Sequence, residues 1–559
     1  MRKWDYKKVF ITLLAVWFII NFLQAIFTEI FSDEAYYYMY GKYLAWGYFD
    51  HPPMIALMIR VGTLFFKGTL GVRLITVLVQ LCTLTLIWKT LKLKEPEPSQ
   101  VYLFFILAGS LWMFSAYGFI SSPDAPLLFF TALFLFSYKN FLEDQSWKTV
   151  GLLSISMAGM IYSKYQAVLI IGFVVLSNLK LLKSYKFWLS GIVALLLLSP
   201  HIYWQFANDF PSLKYHLVDR SDGFRWKYLF EYIPNQMAVF NPLIFGLVIY
   251  VLVKFRPGDL FTRALYFLII GFIGFFWVTA FRGHVEPQWT LSCSVPIILI
   301  LYKRIWESQL LKKLVRKIVF PSLILLLVFR ILLVTNLPLI RSLDINGKEE
   351  QFKFVESVAN NLPVVFSSSY QSPSLYTFFT GKVSFPVSSI DTRQTQFDIW
   401  QLEKNYQNKP AFIASTREGR SKLFEKDKIQ FTGYVTSSLQ TTNRVRILFD
   451  SLPESLTGGD TISISIKLSN PGGYDVDFNH FDFPVQICSV FLKEKDIIVI
   501  PAKFSTPVNI LHQGESLNRT IKTVIPDLPA GEYKFGISLN TFLGTTLNST
   551  FVKIKILKK

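Results

Sequence analysis

From position 9 to position 30 the chain is apolar with hardly a break, and similar runs recur through the first ~340 residues. They start near Val9, Gly71, Val101, Ala125, Thr149, Gln166, Phe187, Pro242, Phe261, Trp289 and Ile318. A helix needs roughly 17–25 apolar residues to cross a bilayer, so the pattern predicts about eleven transmembrane helices. Between 149 and 180, Ser163, Lys164 and Tyr165 interrupt one long stretch, which reads as a helical hairpin.

Charges fall between these runs in a regular way. Arg2, Lys3, Lys7 and Lys8 precede the first run, which places the N-terminus in the cytoplasm. Threading outward and back, every loop that returns inside is basic, from Lys89/Lys92/Lys94 to Lys303/Arg304/Lys312/Lys313/Arg316/Lys317. An odd number of crossings puts everything after about residue 341 outside. The expected location is the plasma (inner) membrane, with the C-terminal domains periplasmic or otherwise extracytoplasmic.

Two outside loops are long. The first holds helix-like stretches at 33–45 and 54–66, too short and polar to span and suited to the interface. The second, 205–240, is rich in Trp and Phe, which prefer the same depth. Past residue 341 the periodicity changes. A helix at 348–360, a strand at 363–368, a helix near 372–380 and a strand at 410–415 predict a small soluble α/β domain over 341–450. From 451 to 559, alternation as in 461–468 and turns at Asn470-Pro-Gly-Gly473 and Pro529-Ala-Gly-Glu532 predict an Ig-like β-sandwich. The fold class is therefore a multi-pass α-helical membrane protein, residues 1–340, carrying a soluble α/β domain and a β-sandwich.

Composition agrees: 52% hydrophobic and 17% charged residues, with a mean hydropathy of +0.37, suit a membrane chain. The net charge of +19 is accounted for by basic inside loops, so nucleic acid is not an expected partner. Three cysteines exclude a disulfide framework, and all are expected to be inert packing residues. The first run is too long for a cleaved signal peptide and reads as a signal anchor. Asn518-Arg-Thr520 and Asn548-Ser-Thr550 are sequons, which matter only in a host that N-glycosylates.

The unusual ionisable residues Asp33, Glu34, Asp50, His51, Asp124, Lys164, His284 and Glu286 all map to the outside ends of helices or to outside loops. Taken singly, each has an ordinary explanation. Asp33 and Glu34 suit the first turn of a helix capped by Ser32, where acids complement the macrodipole. Asp50 and His51 precede Pro52 and Pro53, a turn ahead of a helix. Ser121-Ser-Pro-Asp124 is a polar helix hairpin, and Gly283-His-Val-Glu-Pro287 resembles it in form. Their gathering on one face instead favours chemistry there: a carboxylate as general base, with cations such as Arg73, Lys164 and Arg220 holding a phosphate. Snorkelling is the bland alternative for those cations. A divalent metal ion is a possible cofactor, with Asp50, His51, His284 and Glu286 as candidate ligands.

The stretches Asp33-Glu-Ala-Tyr-Tyr-Tyr38, Gly47-Tyr-Phe-Asp-His-Pro-Pro53, Gly71-Val-Arg-Leu74 and Ser122-Pro-Asp-Ala-Pro126 resemble motifs of polyprenyl-phosphate-sugar-dependent glycosyltransferases. These belong to the GT-C superfamily, which includes bacterial glycosyltransferase family 39, the protein O-mannosyltransferases and the lipid A aminoarabinose transferases. Ser369-Tyr-Gln371 and Arg393-Gln-Thr-Gln-Phe-Asp-Ile-Trp400 also resemble the periplasmic portion of bacterial members. The resemblance implies the GT-C fold and an undecaprenyl-type polyprenyl-phosphate-sugar donor. It implies inverting transfer to a hydroxyl of a lipid, glycan or protein acceptor at the outer face of the membrane. By the same analogy Asp33 is the leading general base, Glu34 and Asp124 orient the acceptor or base, and Arg73 holds the leaving phosphate. Asp50 and His51 match a further motif of the first loop. The acid–Lys–Pro pattern usual in lipid A transferases is Asp50-His51-Pro52 here. Two other readings compete: a polyprenyl-lipid or solute transporter or flippase, and a non-catalytic anchor for the soluble domains. A transporter would usually show repeats and polar residues at the bilayer midplane.

Overall fold

The computed structural model describes residues 5–219, 223–335, 346–414, 421–450, 452–493 and 496–557. The chain divides into two compact units, Met1–Gly347 and Lys348–Lys559.

The first unit is helical. A helix lies in or close after each expected apolar run, beginning with Tyr6–Phe27, Gly68–Leu91, Pro98–Ser110 and Asp124–Glu143. Among the described residues, four helices are long and apolar enough to cross a membrane alone, or up to six when two bent pairs count as one span each. The bent pairs are Tyr185–Leu197 with Ser199–Ala207, at 49°, and Trp226–Phe240 with Pro242–Lys254, at 101°. The sharper bend falls at Asn241-Pro242, where proline cannot continue the preceding ladder and Asn241 takes a positive φ of 72°. The expected hairpin at 149–180 is present as Trp147–Ser163 and Ala167–Ser177. The run expected from Trp289 opens with a 3₁₀ segment, Pro287–Cys293, before the helix Ser294–Glu307.

The first long loop forms two helices, Ser32–Lys42 and Met54–Phe65. The cap position of the former is held by Phe31 rather than Ser32: the Glu34 carboxylate accepts the Phe31 N–H at 3.1 Å. Met54–Phe65 packs against Gly68–Leu91 at two glycines. A Cβ on Gly62 would lie 2.2 Å from the Gly71 carbonyl oxygen, and one on Gly71 would lie 2.0 Å from that of Phe66. Only hydrogen at both positions permits this approach.

Arg330 ties the ends of the unit together. Buried in the helix Phe320–Leu333, it donates to Asn21 Oδ1 (2.7 Å) and Gln24 Oε1 (3.0 Å) on the first helix and to Ser115 Oγ (3.0 Å). Its guanidinium sits 5.1 Å from the centre of the Phe119 ring, and that of Arg73 lies 5.6 Å from the same ring.

In the second unit, the helices Lys348–Ala359 and Gln371–Thr380 accompany a five-stranded sheet. Strands Ser384–Pro386, Val364–Phe366 and Ala411–Ala414 run parallel; Ile429–Thr436 and Lys422–Lys426 complete the sheet antiparallel. Nine further strands form a second sheet assembly, in which Thr461–Ser469 buries Ile464, Ile466 and Leu468 in alternation, and Val476–Asp477 pairs separately with Ile510–Leu511. Strand Asp496–Phe504 pairs with Gln486–Lys493 along its first part and with Ser516–Val524 through Ala502–Phe504, joining two layers around Phe491, Phe535 and Ile537.

Cys293 and Cys488 are buried free thiols as expected, whereas Cys82 is exposed on its helix. The Asn548 amide is buried and donates to the Thr442 and Val445 carbonyls, which leaves no nitrogen for a glycan, while Asn518 is exposed.

Candidate functional site

Two buried ion pairs organise the residues singled out in the first unit. Arg73 is fully buried, and Glu34 is 1% exposed. The Arg73 Nε and Nη2 donate to the two Glu34 oxygens at 2.9 and 2.5 Å, a fork-to-fork pair. The remaining guanidinium hydrogens go to the carbonyls of Thr28 (2.6 Å), Glu29 (3.0 Å) and Ala25 (3.5 Å). Glu34 also accepts the Ser121 N–H at 2.8 Å, so the carboxylate holds the start of the Ser121-Ser-Pro-Asp124 turn. The Ser121 hydroxyl continues the link, donating to the Val72 carbonyl (2.8 Å).

The second pair closes the other end of that turn. Asp124, at the first position of the helix Asp124–Glu143, accepts from Lys164 Nζ through both oxygens, at 2.7 and 2.9 Å. Asp124 is 4% exposed and Lys164 6%. Lys164 reaches it from the end of Trp147–Ser163, where the chain leaves helical geometry. Arg73 and Lys164, expected as a phosphate clamp, are thus engaged by carboxylates and closed to solvent. Asp33 differs: one position before Glu34, it is exposed.

Asp50 and His51 form a neighbouring cluster. The buried Asp50 accepts the Tyr40 hydroxyl at 2.5 Å, and the Tyr40 ring stacks on Tyr48 at 3.9 Å. Burial first, and then the Asp50 charge, hold the Tyr40 phenol well above its usual range, so it stays a donor. Tyr37 bonds His51 Nε2 (3.3 Å), and His216 Nε2 donates to the Asp50 carbonyl (3.0 Å). His201 donates from Nδ1 to the Trp46 carbonyl (2.6 Å), which leaves Nε2 to accept the Tyr165 hydroxyl (3.2 Å). Tyr40, Tyr165, His201 and His216 are missing from the sequence-based set. Tyr40 and His216 lie in loop stretches that read as interfacial, Tyr165 in the break of the 149–180 hairpin and His201 in the run from Phe187, and only contact across the fold distinguishes them.

His284 and Glu286 sit 3.8 Å apart, both partly exposed. The short helix Trp112–Ala116 packs against the 3₁₀ segment Pro287–Cys293 that follows Glu286. Among the described residues, no group of three or more His, Cys, Asp or Glu converges as a metal site. The pairs Asp50/His51 and His284/Glu286 remain two-ligand sets, short of the three or four that a structural or catalytic ion takes. Arg220 lies outside the described residues. In the second unit, Ser438, His480 and Asp482 adjoin, but His480 Nδ1 accepts the N–H groups of Asp482 (3.2 Å) and Phe483 (3.1 Å). Its Nε2 therefore carries the hydrogen and donates to Ser438 (3.2 Å), the wrong direction for a base activating serine.

A helical unit with short loop helices and a β-rich C-terminal part give the chain the fold of the GT-C protein ArnT. The particular relatives agree. ArnT from Cupriavidus metallidurans bound to undecaprenyl phosphate superposes with a TM-score of 0.57 at 14% identity, covering 76% of this chain and 97% of that one. Its apo form gives 0.55 at 13%, with the same coverage. At that identity the likeness is one of fold. Residues 50–204 match the family described as dolichyl-phosphate-mannose-protein mannosyltransferase. The lipid A galacturonosyltransferase RgtD of Rhizobium johnstonii is 23% identical over 244 residues, 41% of this chain and 50% of that protein. The chain spans half the length of the curated relative it matches. These matches bear out the resemblance read from the first loop and the 122–126 turn.

Proposed function

We propose that the protein is a glycosyltransferase that moves a sugar from a polyprenyl-phosphate donor to a hydroxyl on a lipid, glycan or protein, at the outer face of the plasma membrane. The observation that carries this reading is the contrast at 33–34: Glu34 is locked into Arg73, while Asp33 is exposed beside the turn pinned by both ion pairs. The acceptor hydroxyl attacks the anomeric carbon as Asp33 takes its proton; the bond to the phosphate oxygen breaks, and polyprenyl phosphate leaves with the electron pair. Attack opposite the leaving group inverts the anomeric centre. A carboxylate at this position can accept the proton, and the nearby acids favour the positive charge that develops on the sugar. Glu34 and Asp124 act by holding the loop, and Asp50 and His51 by shaping the wall next to it. Kinship supports the donor class, since one relative of the same fold is described as bound to undecaprenyl phosphate and another as a lipid A galacturonosyltransferase.

The test is transfer of labelled sugar from polyprenyl-phosphate donors in membranes containing the acceptor, with wild type and an equally abundant Asp33→Asn. Loss of transfer in the variant is the expected result. Transfer that survives removes Asp33 as base. A wild type inert toward every donor favours the carrier reading, for which the bend of 101° at Asn241-Pro242 is the relevant feature.

A further inference from the structure

The loop that leads into the Asp50-His51 turn is gripped through its backbone. The Trp46 carbonyl accepts from His201 Nδ1 at 2.6 Å, and the Tyr48 carbonyl accepts the Ser212 hydroxyl at 2.8 Å. The Asp50 carbonyl accepts from His216 Nε2 at 3.0 Å. Between the first two, a Cβ on Gly47 would lie 2.3 Å from Cε3 of Trp204, so the indole closes over that position. Every one of these partners comes from residues 201–216, where loop carbonyls could otherwise turn to water.

One amide sets the direction of the network. Gln205, 6% exposed, donates through Nε2 to the hydroxyls of Tyr165 and Ser212, both at 2.8 Å. Ser212, accepting from Gln205, gives its own hydrogen to Tyr48, and Tyr165 gives its hydrogen to His201 Nε2 at 3.2 Å. His201 therefore carries its hydrogen on Nδ1, facing Trp46. Tyr165 directly follows Lys164, the partner of Asp124, so the network joins the 46–50 loop to the second ion pair.

This arrangement is kept against two local costs. After Ser199–Ala207 the chain reverses through Asp209 and Phe210, both left-handed at φ 61° and 53°, a conformation that bulky side chains disfavour. The reversal, closed by the Phe210 N–H on the Gln205 carbonyl at 2.7 Å, is what returns Ser212 to Gln205. In addition, Gln205 Oε1 is buried and accepts no hydrogen bond among the described residues. Strain and an unpaired acceptor persist together where the surrounding geometry is under functional demand.

We propose that Tyr165, His201, Gln205 and Ser212 are positioning residues that fix the Asp50-His51 turn relative to the Lys164–Asp124 pair, and that this placement sets how tightly the sugar donor is held. This rests on the glycosyltransferase reading above. A loop held by one hydrogen bond swings about it, whereas a loop held at Trp46, Tyr48 and Asp50 has its whole path fixed. A displacement of about 1 Å is enough to weaken a contact that depends on placement.

The experiment uses the full chain in nanodiscs and reads both amide hydrogen exchange and transfer of labelled sugar from polyprenyl-phosphate donors. Tyr165→Phe and Ser212→Ala each remove one hydroxyl. Tyr266→Phe is the control, since its hydroxyl bonds the Phe255 carbonyl at 2.7 Å, away from this network. Both test variants are expected to speed exchange at residues 45–51 about five- to tenfold, the loss of one hydrogen bond. Gly68–Leu91 and Asp124–Glu143 should keep wild-type rates, and the donor KM should rise by a similar factor with kcat retained. The control should change neither reading. Unchanged exchange at 45–51 overturns the inference. So does an increase spread equally over those two helices, which reports lost stability alone. Faster exchange at 45–51 with a wild-type KM also overturns it, because the loop is then held without consequence for the donor. A wild type that moves no sugar from any donor, while the variants still loosen 45–51, overturns the transferase reading and leaves the hold on the loop standing. Should Tyr165→Phe fail to fold, Ser212→Ala decides.

Discussion

Glu34 and Arg73 lie 39 residues apart and form a fully buried, two-bond ion pair that also accepts the Ser121 N–H through Glu34. The pair ties the first loop helix, the helix Gly68–Leu91 and the turn before Asp124 into one piece. Its neighbour Asp33 is exposed, so adjacent acids have opposite fates. That contrast separates stability from chemistry.

Glu34→Gln and Arg73→Met should each destabilise the protein by about 3–5 kcal/mol, because each strands a buried charge or polar partner. The double variant should lose less than the sum of the two. Thermal unfolding in detergent measures all three, and additive losses would show that the pair does not act as a unit.

Asp33→Asn should leave unfolding within about 0.5 kcal/mol of wild type, as expected for an exposed side chain. Activity, measured in the same preparation, should be lost.

Gly71→Ala should both destabilise the chain and reduce transfer. Its Cβ meets a backbone oxygen at 2.0 Å, and a carbonyl cannot rotate aside as a side chain would. A cost of about 1–3 kcal/mol is expected from such overpacking. Activity falling more steeply than stability would show that the displaced helix, Met54–Phe65, carries the Asp50 turn out of place.

His512 and Asp475 offer a pH test in the second unit. His512 Nδ1 donates to Asp475 at 3.0 Å, and this bond raises the imidazole above its usual value. Asp475 is lowered, first by the Gln513 N–H and then by His512. The histidine contribution is full below the ordinary histidine range and lost as pH rises through the raised value. The aspartate contribution is present above the ordinary carboxylate range and lost as pH falls through the depressed one. The pair is complete only between those limits. Asp475→Asn should return the His512 titration, followed by NMR, to the ordinary range. Melting should hardly move, since both groups are exposed.

Much of this was legible in the residue pattern. The helix positions, the loop helices, the strands at Val364–Phe366 and Ala411–Ala414 and the alternation in Thr461–Ser469 all follow from local periodicity. The charged residues were also visible, because acids and bases beside long apolar runs stand out. Their pairing was not. Glu34 finds Arg73 across 39 residues and Asp124 finds Lys164 across 40, and nothing local links either pair. Arg73 and Lys164, read from the sequence as phosphate-binding cations, each hold a carboxylate in the structure. The span count was likewise blurred, since an apolar run carries no mark of the bend at Asn241 or the 3₁₀ opening at Pro287.

Arg330 has a consequence for how the protein is made. It sits on the last helix among the described residues of the first unit and bonds to the first helix and to Ser115, so the turn at Ser115 is not fully braced until residue 330 has arrived. Segments synthesised early must wait in the bilayer for a partner delivered near the end of translation of this unit. A ribosome stalled before that point leaves helices in place around a site that is not yet assembled. The bracing at Ser115 is thus completed in one late step of synthesis.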